Sequence, residues 1–301
     1  MIRSRLPELG LLFVVAVWAS TFVLTKQAFA EISPLAFAFV RFGGISALAL
    51  IVLAASVRAG QAQWRVCRAD LVRFGAVGLC GYTFYQLGFV LGLERTSPFS
   101  SALLIGTVPL FTIVLLTGLG ERQSFIAWVG LAVAVVGTVI FLLDKLGAPG
   151  SLVGDLLSLG SAISFATYGV INRPLVKRYP TATYTAYTIL AGAMPLLAVS
   201  LSSAVAQDWR AVSVGSWVVV AYMIVLPVYV AYIVWNWAIA RRGAAAASSF
   251  TLLVPIVSGV LSVFTFGETF DLPKLLGAGL VLIGLLLLQR RPAQAFYHGR
   301  S

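Results

Sequence analysis

The chain has 301 residues, 60% of them hydrophobic and only 10% charged, with a formal net charge of +11 and a mean hydropathy of +0.98. Soluble domains carry about 25% charged residues, and no soluble fold has interior enough for this much apolar surface. The composition excludes a water-soluble enzyme, a disordered chain and a disulfide-stapled secreted domain, and it requires an integral membrane protein.

A helix crossing a membrane needs about 20 mainly apolar residues. Ten such runs occur in order, at 8–28, 34–56, 70–92, 97–118, 123–143, 153–172, 182–203, 215–238, 244–265 and 272–289. None alternates at period two as barrel strands do, so the expected fold is an all-α polytopic membrane protein. Only the connections 57–69 and 204–214 are long, and neither could build a second domain. Arg3 and Arg5 ahead of the first run, with Ala28-Phe29-Ala30 behind it, resemble a cleaved leader. The run is long for one, however, and carries Trp18, Thr21 and Thr25, so it is read as the first span. Of the 21 Lys and Arg, fifteen fall on the side of the N-terminus. Only Lys26, Arg95, Lys145, Arg210 and Lys274 fall on the other side, and Arg41 lies inside a span. This asymmetry predicts cytoplasmic termini. It also explains the net charge without a nucleic-acid partner, because no domain presents the basic residues together. Cys67 and Cys80 are about 20 Å apart along a helix. They and His298 form neither a disulfide nor a metal site, and no cofactor is expected.

Shifting the chain by 147 residues lays one half on the other. Leu12, Ala19, Tyr82, Tyr85, Arg95, Ser101, Gly120, Glu121, Gly130 and Gly137 then fall on Leu159, Ala166, Tyr229, Tyr232, Arg242, Ser248, Gly267, Glu268, Gly277 and Gly284. Pro109 and Pro255 match with a one-residue slip. The expected units are 1–148 and 149–301, each of five spans. Five is odd, so the second unit enters the membrane inverted, and inverted repeats around a central cavity are the architecture of alternating-access carriers.

Several short motifs, in order and duplicated, resemble the drug/metabolite transporter superfamily, EamA branch, across essentially the whole chain. They are Trp18-Ala-Ser-Thr-Phe22, Pro34 with Arg41-Phe42, Pro109 followed by Gly120-Glu121 and Gly130, and Pro255 followed by Gly267-Glu268 and Gly277. On overall pattern the chain looks nearest to amino-acid exporters of the YddG type. The family's Trp-Gly is Trp18-Ala19 here. The resemblance implies a bacterial inner-membrane carrier, a monomer or weak homodimer, with the fifth and tenth spans peripheral.

Candidate substrate-binding residues are those the bilayer would not tolerate without cause. Arg41 sits about seven residues inside the second span, where a charge costs at least ~2.5 kcal/mol. It is read either as a clamp for a substrate carboxylate or as a structural tie to backbone carbonyls or to Glu31, Glu94 or Glu268, and such a side chain also snorkels toward headgroups. Tyr82, Tyr85, Gln86 and Phe89 share one side of the third span, and Tyr229, Tyr232, Trp235 and Asn236 one side of the eighth. Tyr82 and Tyr229 are too central for an interfacial belt. Trp18 and Thr21 join them from the first span, Phe165 and Tyr168 from the sixth. Aromatic faces with hydroxyls suit a small amphipathic solute. Ser100, Ser101, Thr107, Ser248, Ser249 and Thr251 are read chiefly as back-bonding to their own helices. Pro109 and Pro255 mark paired interruptions, expected as hinges.

All ten acidic residues fall at span ends or in loops, which favours facilitated diffusion over proton coupling. No phosphate-cradling motif supports ATP-driven pumping. The expected function is export of small metabolites, amino acids first, by a secondary transporter that is not an enzyme. The alternatives are proton-coupled efflux of drugs or other metabolites, with Glu94 as the coupling acid, and a non-transporting receptor or scaffold.

Overall fold

The computed structural model describes residues 2–143, 149–242 and 244–289. Asp144, Lys145, Arg290, Arg291, His298 and Arg300 lie outside the described residues, as do the side chains of Arg3 and Ser248. Among the described residues, ten helices are long and apolar enough to cross a membrane. They are span 1 (Arg5–Ala28), span 2 (Pro34–Arg58), span 3 (Arg68–Arg95), span 4 (Pro98–Gly118) and span 5 (Phe125–Leu143). Span 6 (Gly150–Arg178), span 7 (Thr181–Ala206), span 8 (Val214–Ile239), span 9 (Ser249–Phe266) and span 10 (Leu272–Gln289) complete the series. All ten runs read from hydropathy are present. Span 6 runs past its expected end because Arg173–Arg178 forms one further helical turn beyond Asn172. Val72, Phe125, Val205 and Phe264 are each more than three-quarters exposed, and on apolar helices of this length such side chains face lipid. By parity both chain ends lie on one face, here the terminal face; the opposite one is the far face.

The interior is built on close approach of small residues, as expected where lipid removes the hydrophobic drive for helices to associate. Spans 5 and 10 meet along four glycines. A Cβ on Gly130 would stand 2.8 Å from Gly284 O, and one on Gly137 2.8 Å from Gly277 O. Gly130 and Gly277 are repeat partners, as are Gly137 and Gly284. Each glycine therefore touches the partner of the other, the signature of a two-fold relation. Spans 3 and 7 cross at Gly78 and Gly192, where a Cβ on Gly192 would lie 2.2 Å from Gly78 O. The helix contacts as a whole follow this pseudo-symmetric two-repeat arrangement, with spans 2 and 7, 4 and 9, and 5 and 10 paired across the axis.

Two local departures from α-helix also come in pairs. Leu79–Phe84 in span 3 and Leu226–Val230 in span 8 are π-helical, and their first residues are 147 apart. A π segment widens one turn and loosens its hydrogen bonding, and such segments concentrate at functional sites. Around them Thr83 Oγ1 donates to Gly192 O at 2.6 Å, Ser161 Oγ to Tyr85 O at 2.8 Å and Trp18 Nε1 to Pro227 O at 3.3 Å. Span 4 is broken near its middle and span 9 near its start. Span 4 stops at Ile105 and restarts at Val108, while the helix leading into span 9 stops at Thr251 and restarts at Leu253. Pro109 and Pro255 stand in the first turn of the second piece, where a proline displaces no helical hydrogen bond. The interruption therefore precedes each proline instead of arising as a mid-helix kink. Gly106 of one break lies against Pro255 of the other, where a Cβ on the glycine would stand 3.6 Å from the proline ring. Spans 4 and 9 end alike on Gly120 (φ +87°) and Gly267 (φ +63°), left-handed conformations that glycine adopts without strain.

Polar ties close both faces. On the terminal face the fully buried Asp70 accepts from Tyr179 Oη at 2.7 Å and pairs with Arg178 at 2.8 Å and Arg73 at 3.0 Å. Burial pushes the Tyr179 phenol up. On the far face Lys26 Nζ caps the end of span 3, donating to the carbonyls of Leu93, Glu94 and Thr96 at 2.7–3.0 Å, the favourable end of a helix for a cation. Glu31 accepts from the Ser213 amide at the start of span 8 at 2.8 Å, and that hydrogen bond holds its carboxyl below the usual carboxylate range.

Candidate functional site

The π segments bring the centre of the bundle together. Span 8 presents Tyr232 and Trp235 to Trp18 of span 1, with ring centroids 5.7 and 5.3 Å apart. Span 3 presents Tyr82 to Tyr168 of span 6 at 5.9 Å and Tyr85 to Phe165 at 5.0 Å; Phe165 and Tyr168 stack at 5.3 Å. Gly81 makes room for this, because a Cβ there would lie 2.3 Å from the Tyr168 ring. Tyr184 of span 7 donates to Tyr168 Oη at 2.9 Å. The Tyr232 phenol is within electrostatic reach of Tyr82, Tyr85, Tyr168 and Tyr184, so five spans converge on one group of rings. Tyr232 is nevertheless 45% exposed, and Trp18, Tyr82, Tyr85, Phe165 and Tyr168 are all partly accessible. A ring surrounded by phenols from other spans and still accessible faces space inside the bundle, not lipid.

Not every sequence candidate joins this group. Tyr229, the repeat partner of Tyr82, buries its hydroxyl without a hydrogen-bond partner and makes none of these ring contacts. Asn236 is exposed, one turn from Tyr232. Thr21 Oγ1 is bound to the Trp18 carbonyl at 2.6 Å, leaving chiefly its methyl group for contact. Thr107 back-bonds likewise to Leu104 O, while Ser101 accepts from Ser158 Oγ of span 6 at 3.0 Å. Pro109 and Pro255 lie beside the span 4 and span 9 breaks. Tyr184 belongs to the cluster and is not among the sequence candidates. Its position near the start of span 7 is that of an interfacial tyrosine, and its repeat partner Phe37 is a fully buried core residue.

Arg41 lies beside the cluster. It is 9% exposed, its Nη1 donates to Gln86 Oε1 at 3.3 Å, and its guanidinium lies 5.7 Å from the Phe42 ring. None of the three carboxylates expected as structural partners reaches it. Glu31 binds the Ser213 amide, Glu94 pairs with Arg95 at 2.7 Å, and Glu268 pairs with Lys274 at 2.6 Å. No group of three or more His, Cys, Asp or Glu residues able to hold a metal occurs among the described residues. A separate recess of about 440 Å³ opens on the far face between spans 1, 8 and 9, lined by Lys26, Glu31, Ser216 and Phe266 among others. None of the candidate residues lines it.

Ten spans in two pseudo-symmetric halves, interrupted in pairs around an accessible polar–aromatic centre, define a membrane carrier. The model of the EamA-like transporter family matches twice, over residues 6–143 and 152–290, and the chain belongs to that family. It is therefore a secondary transporter of small metabolites and not an enzyme. The chain is 30% identical over 275 residues to the uncharacterized transporter YyaM of Bacillus subtilis (strain 168), covering 89% of this chain and 88% of that one. It is 28% identical over 287 residues to a probable terminal-alkyne amino-acid exporter of Streptantibioticus cattleyicolor, covering 92% and 94%. A solved crystal structure, 22% identical in sequence, superimposes with a TM-score of 0.61 over 94% of this chain and 96% of its own, a likeness of fold.

Proposed function

We propose that the protein exports amino acids and close amphipathic relatives by alternating access, as a facilitated-diffusion carrier. The observation that carries this reading is the accessible aromatic group at the bundle centre, with Tyr232 45% exposed among phenols of other spans. Ring faces take up an apolar side chain and attract an ammonium, and phenols bond the polar end. Trp18, Tyr82, Tyr85, Phe165, Tyr168, Tyr232 and Trp235 are the proposed contacts, with Thr21, Arg41, Gln86, Tyr229 and Asn236 around them. The breaks before Pro109 and Pro255 are the proposed hinges. The similarity to the Streptantibioticus exporter supports the substrate class. The absence of a carboxylate from the ring cluster, among the described residues, supports uncoupled movement. In this reading units 1–148 and 149–301 rock against each other in a bacterial inner membrane with both termini cytoplasmic.

The test is counterflow in proteoliposomes with a panel of labelled amino acids and no imposed gradient. Exchange of specific amino acids, lost in Tyr82→Ala and Trp18→Ala variants that still insert and purify normally, is the expected result. Uptake that appears only under a pH gradient would replace facilitated diffusion with proton coupling.

A further inference from the structure

Arg41 and Gln86 form a buried pair with the wrong number of acceptors. Gln86 is 1% exposed and spends its only acceptor, Oε1, on Arg41 Nη1. That bond fixes the amide orientation, since a guanidinium has no acceptor to offer in return. Gln86 Nε2 is left buried with no partner, and so is Arg41 Nε. Two N–H donors beside an uncompensated positive charge thus stand unused on neighbouring side chains, although buried polar groups in folded proteins are bonded in some nine cases of ten or more. No carboxylate among the described residues pairs with Arg41. The pair therefore has donor capacity to spare, which an incoming acceptor can take up.

The geometry points to a carboxylate subsite: Arg41 Nε and Gln86 Nε2 receive the two oxygens of an organic carboxylate, whose apolar or aromatic remainder lies along Tyr85 and Phe165. This rests on the transporter reading and narrows it. Tyr85 directly precedes Gln86 in span 3 and its ring packs 5.0 Å from Phe165, which sets the tail site next to the head site. Planar, bidentate recognition of a carboxylate is what a guanidinium edge supplies best. The substrate's other end meets no matching charge among the described residues of the ring cluster: Glu8 pairs with Arg242, Glu121 with Arg173 and Glu268 with Lys274, and the buried Asp155 accepts from Thr96 between spans 3 and 4. The carboxylate is therefore the required group and the ammonium a dispensable one, so aromatic 2-oxo acids are substrates alongside amino acids.

The experiment uses the full chain in liposomes loaded with unlabelled phenylalanine. Entry of labelled phenylalanine, phenylpyruvate and phenethylamine is followed for the wild type and for Gln86→Glu. The expected result is exchange of the two carboxylates and less than a tenth of that rate for the amine. Gln86→Glu places a permanent carboxylate on Arg41; it should keep or raise the melting temperature and lower exchange of both carboxylates at least tenfold. Should that variant fail to assemble, Arg41→Lys keeps the charge without the fork, and at least a tenfold rise in half-saturation for both carboxylates is expected. Amine exchange equal to phenylalanine, or wild-type behaviour of the variant used, overturns the subsite and leaves an amino-acid carrier standing. Exchange of phenylalanine without phenylpyruvate overturns the dispensable ammonium. Silence with all three probes and with the wider amino-acid panel overturns both readings.

Discussion

Glu121 and Glu268 occupy the same position in the two repeats and live in opposite surroundings. Glu268, at the far end of span 9, is 7% exposed; it pairs with Lys274, accepts from Ser97 Oγ at 2.5 Å and is bonded by Ser262. Glu121, at the terminal end of span 4, is 44% exposed and pairs only with Arg173, itself 38% exposed. The partners explain the difference. Ser97, Ser262 and Lys274 correspond to Ala244, Leu115 and Ala127 in the other repeat, none of which has a side-chain group to offer a carboxylate. The same divergence recurs where span 3 crosses span 6. Gly88 and Gly92 bring backbones together there: a Cβ on Gly88 would stand 2.7 Å from Leu157 O, and one on Gly92 2.9 Å from Gly154 O. Their repeat partners on span 8, Trp235 and Ile239, hold span 1 off with side chains. Duplication supplies two similar helix ends, and a few unmatched residues decide which is tied more tightly: Glu268 by three side chains, Glu121 by one.

The contrast can be broken from either side. Glu268→Gln strands Lys274, 5% exposed, and loss of one member of a buried pair costs ~3–5 kcal/mol. Glu121→Gln should cost at most ~1 kcal/mol, as exposed pairs do. Thermal unfolding of both variants in detergent measures the difference. Equal losses would show that the two ends are not differently sealed. Gly88→Leu forces a side chain into the span 3–span 6 seam, and overpacking of this kind costs ~1–3 kcal/mol; Trp235→Gly, at the related position, should cost less at that crossing. Trp235→Ala removes one ring pair worth ~0.5–1.5 kcal/mol, so counterflow of aromatic substrates should fall by up to about tenfold with little change in melting. The smallest effect concerns pH. The Glu31 carboxyl is held below its usual 4.5, so its tie to Ser213 is fully present above that value and is lost as pH falls through the lower folded value. Hydrogen exchange at the Ser213 amide, with protection relative to the intrinsic rate present at pH 6 and reduced at pH below 4, measures it.

The sequence carries the spans and their duplication openly, because lipid leaves no choice but long apolar helices and because glycines and tyrosines recur at one offset. The candidate site is legible in part. Trp18, Tyr82, Tyr85, Phe165, Tyr168 and Tyr232 come together, found through the depth of Tyr82 and the helix sides shared with it and with its repeat partner. Tyr184 is hidden in the sequence because a phenol near a helix start has an ordinary explanation. Tyr229 departs from repeat symmetry: its partner Tyr82 packs on Tyr168, while Tyr229 buries its hydroxyl without a hydrogen-bond partner. The π segments leave no mark in composition, since a widened turn needs no particular residue. The Arg41–Gln86 pairing joins positions 45 apart on different spans, which periodicity within one helix does not register.

The glycine seam between spans 5 and 10 has a consequence for how the chain is made. Gly130 meets Gly284 and Gly137 meets Gly277 through backbone alone, so recognition between the halves is written into two helix surfaces and does not depend on the connection joining them. Two fragments, one ending at residue 143 and the other beginning at 149, carry complete halves of that seam. Synthesised separately in one membrane, they are expected to associate along that seam, which co-purification of the second fragment with a tagged first one measures.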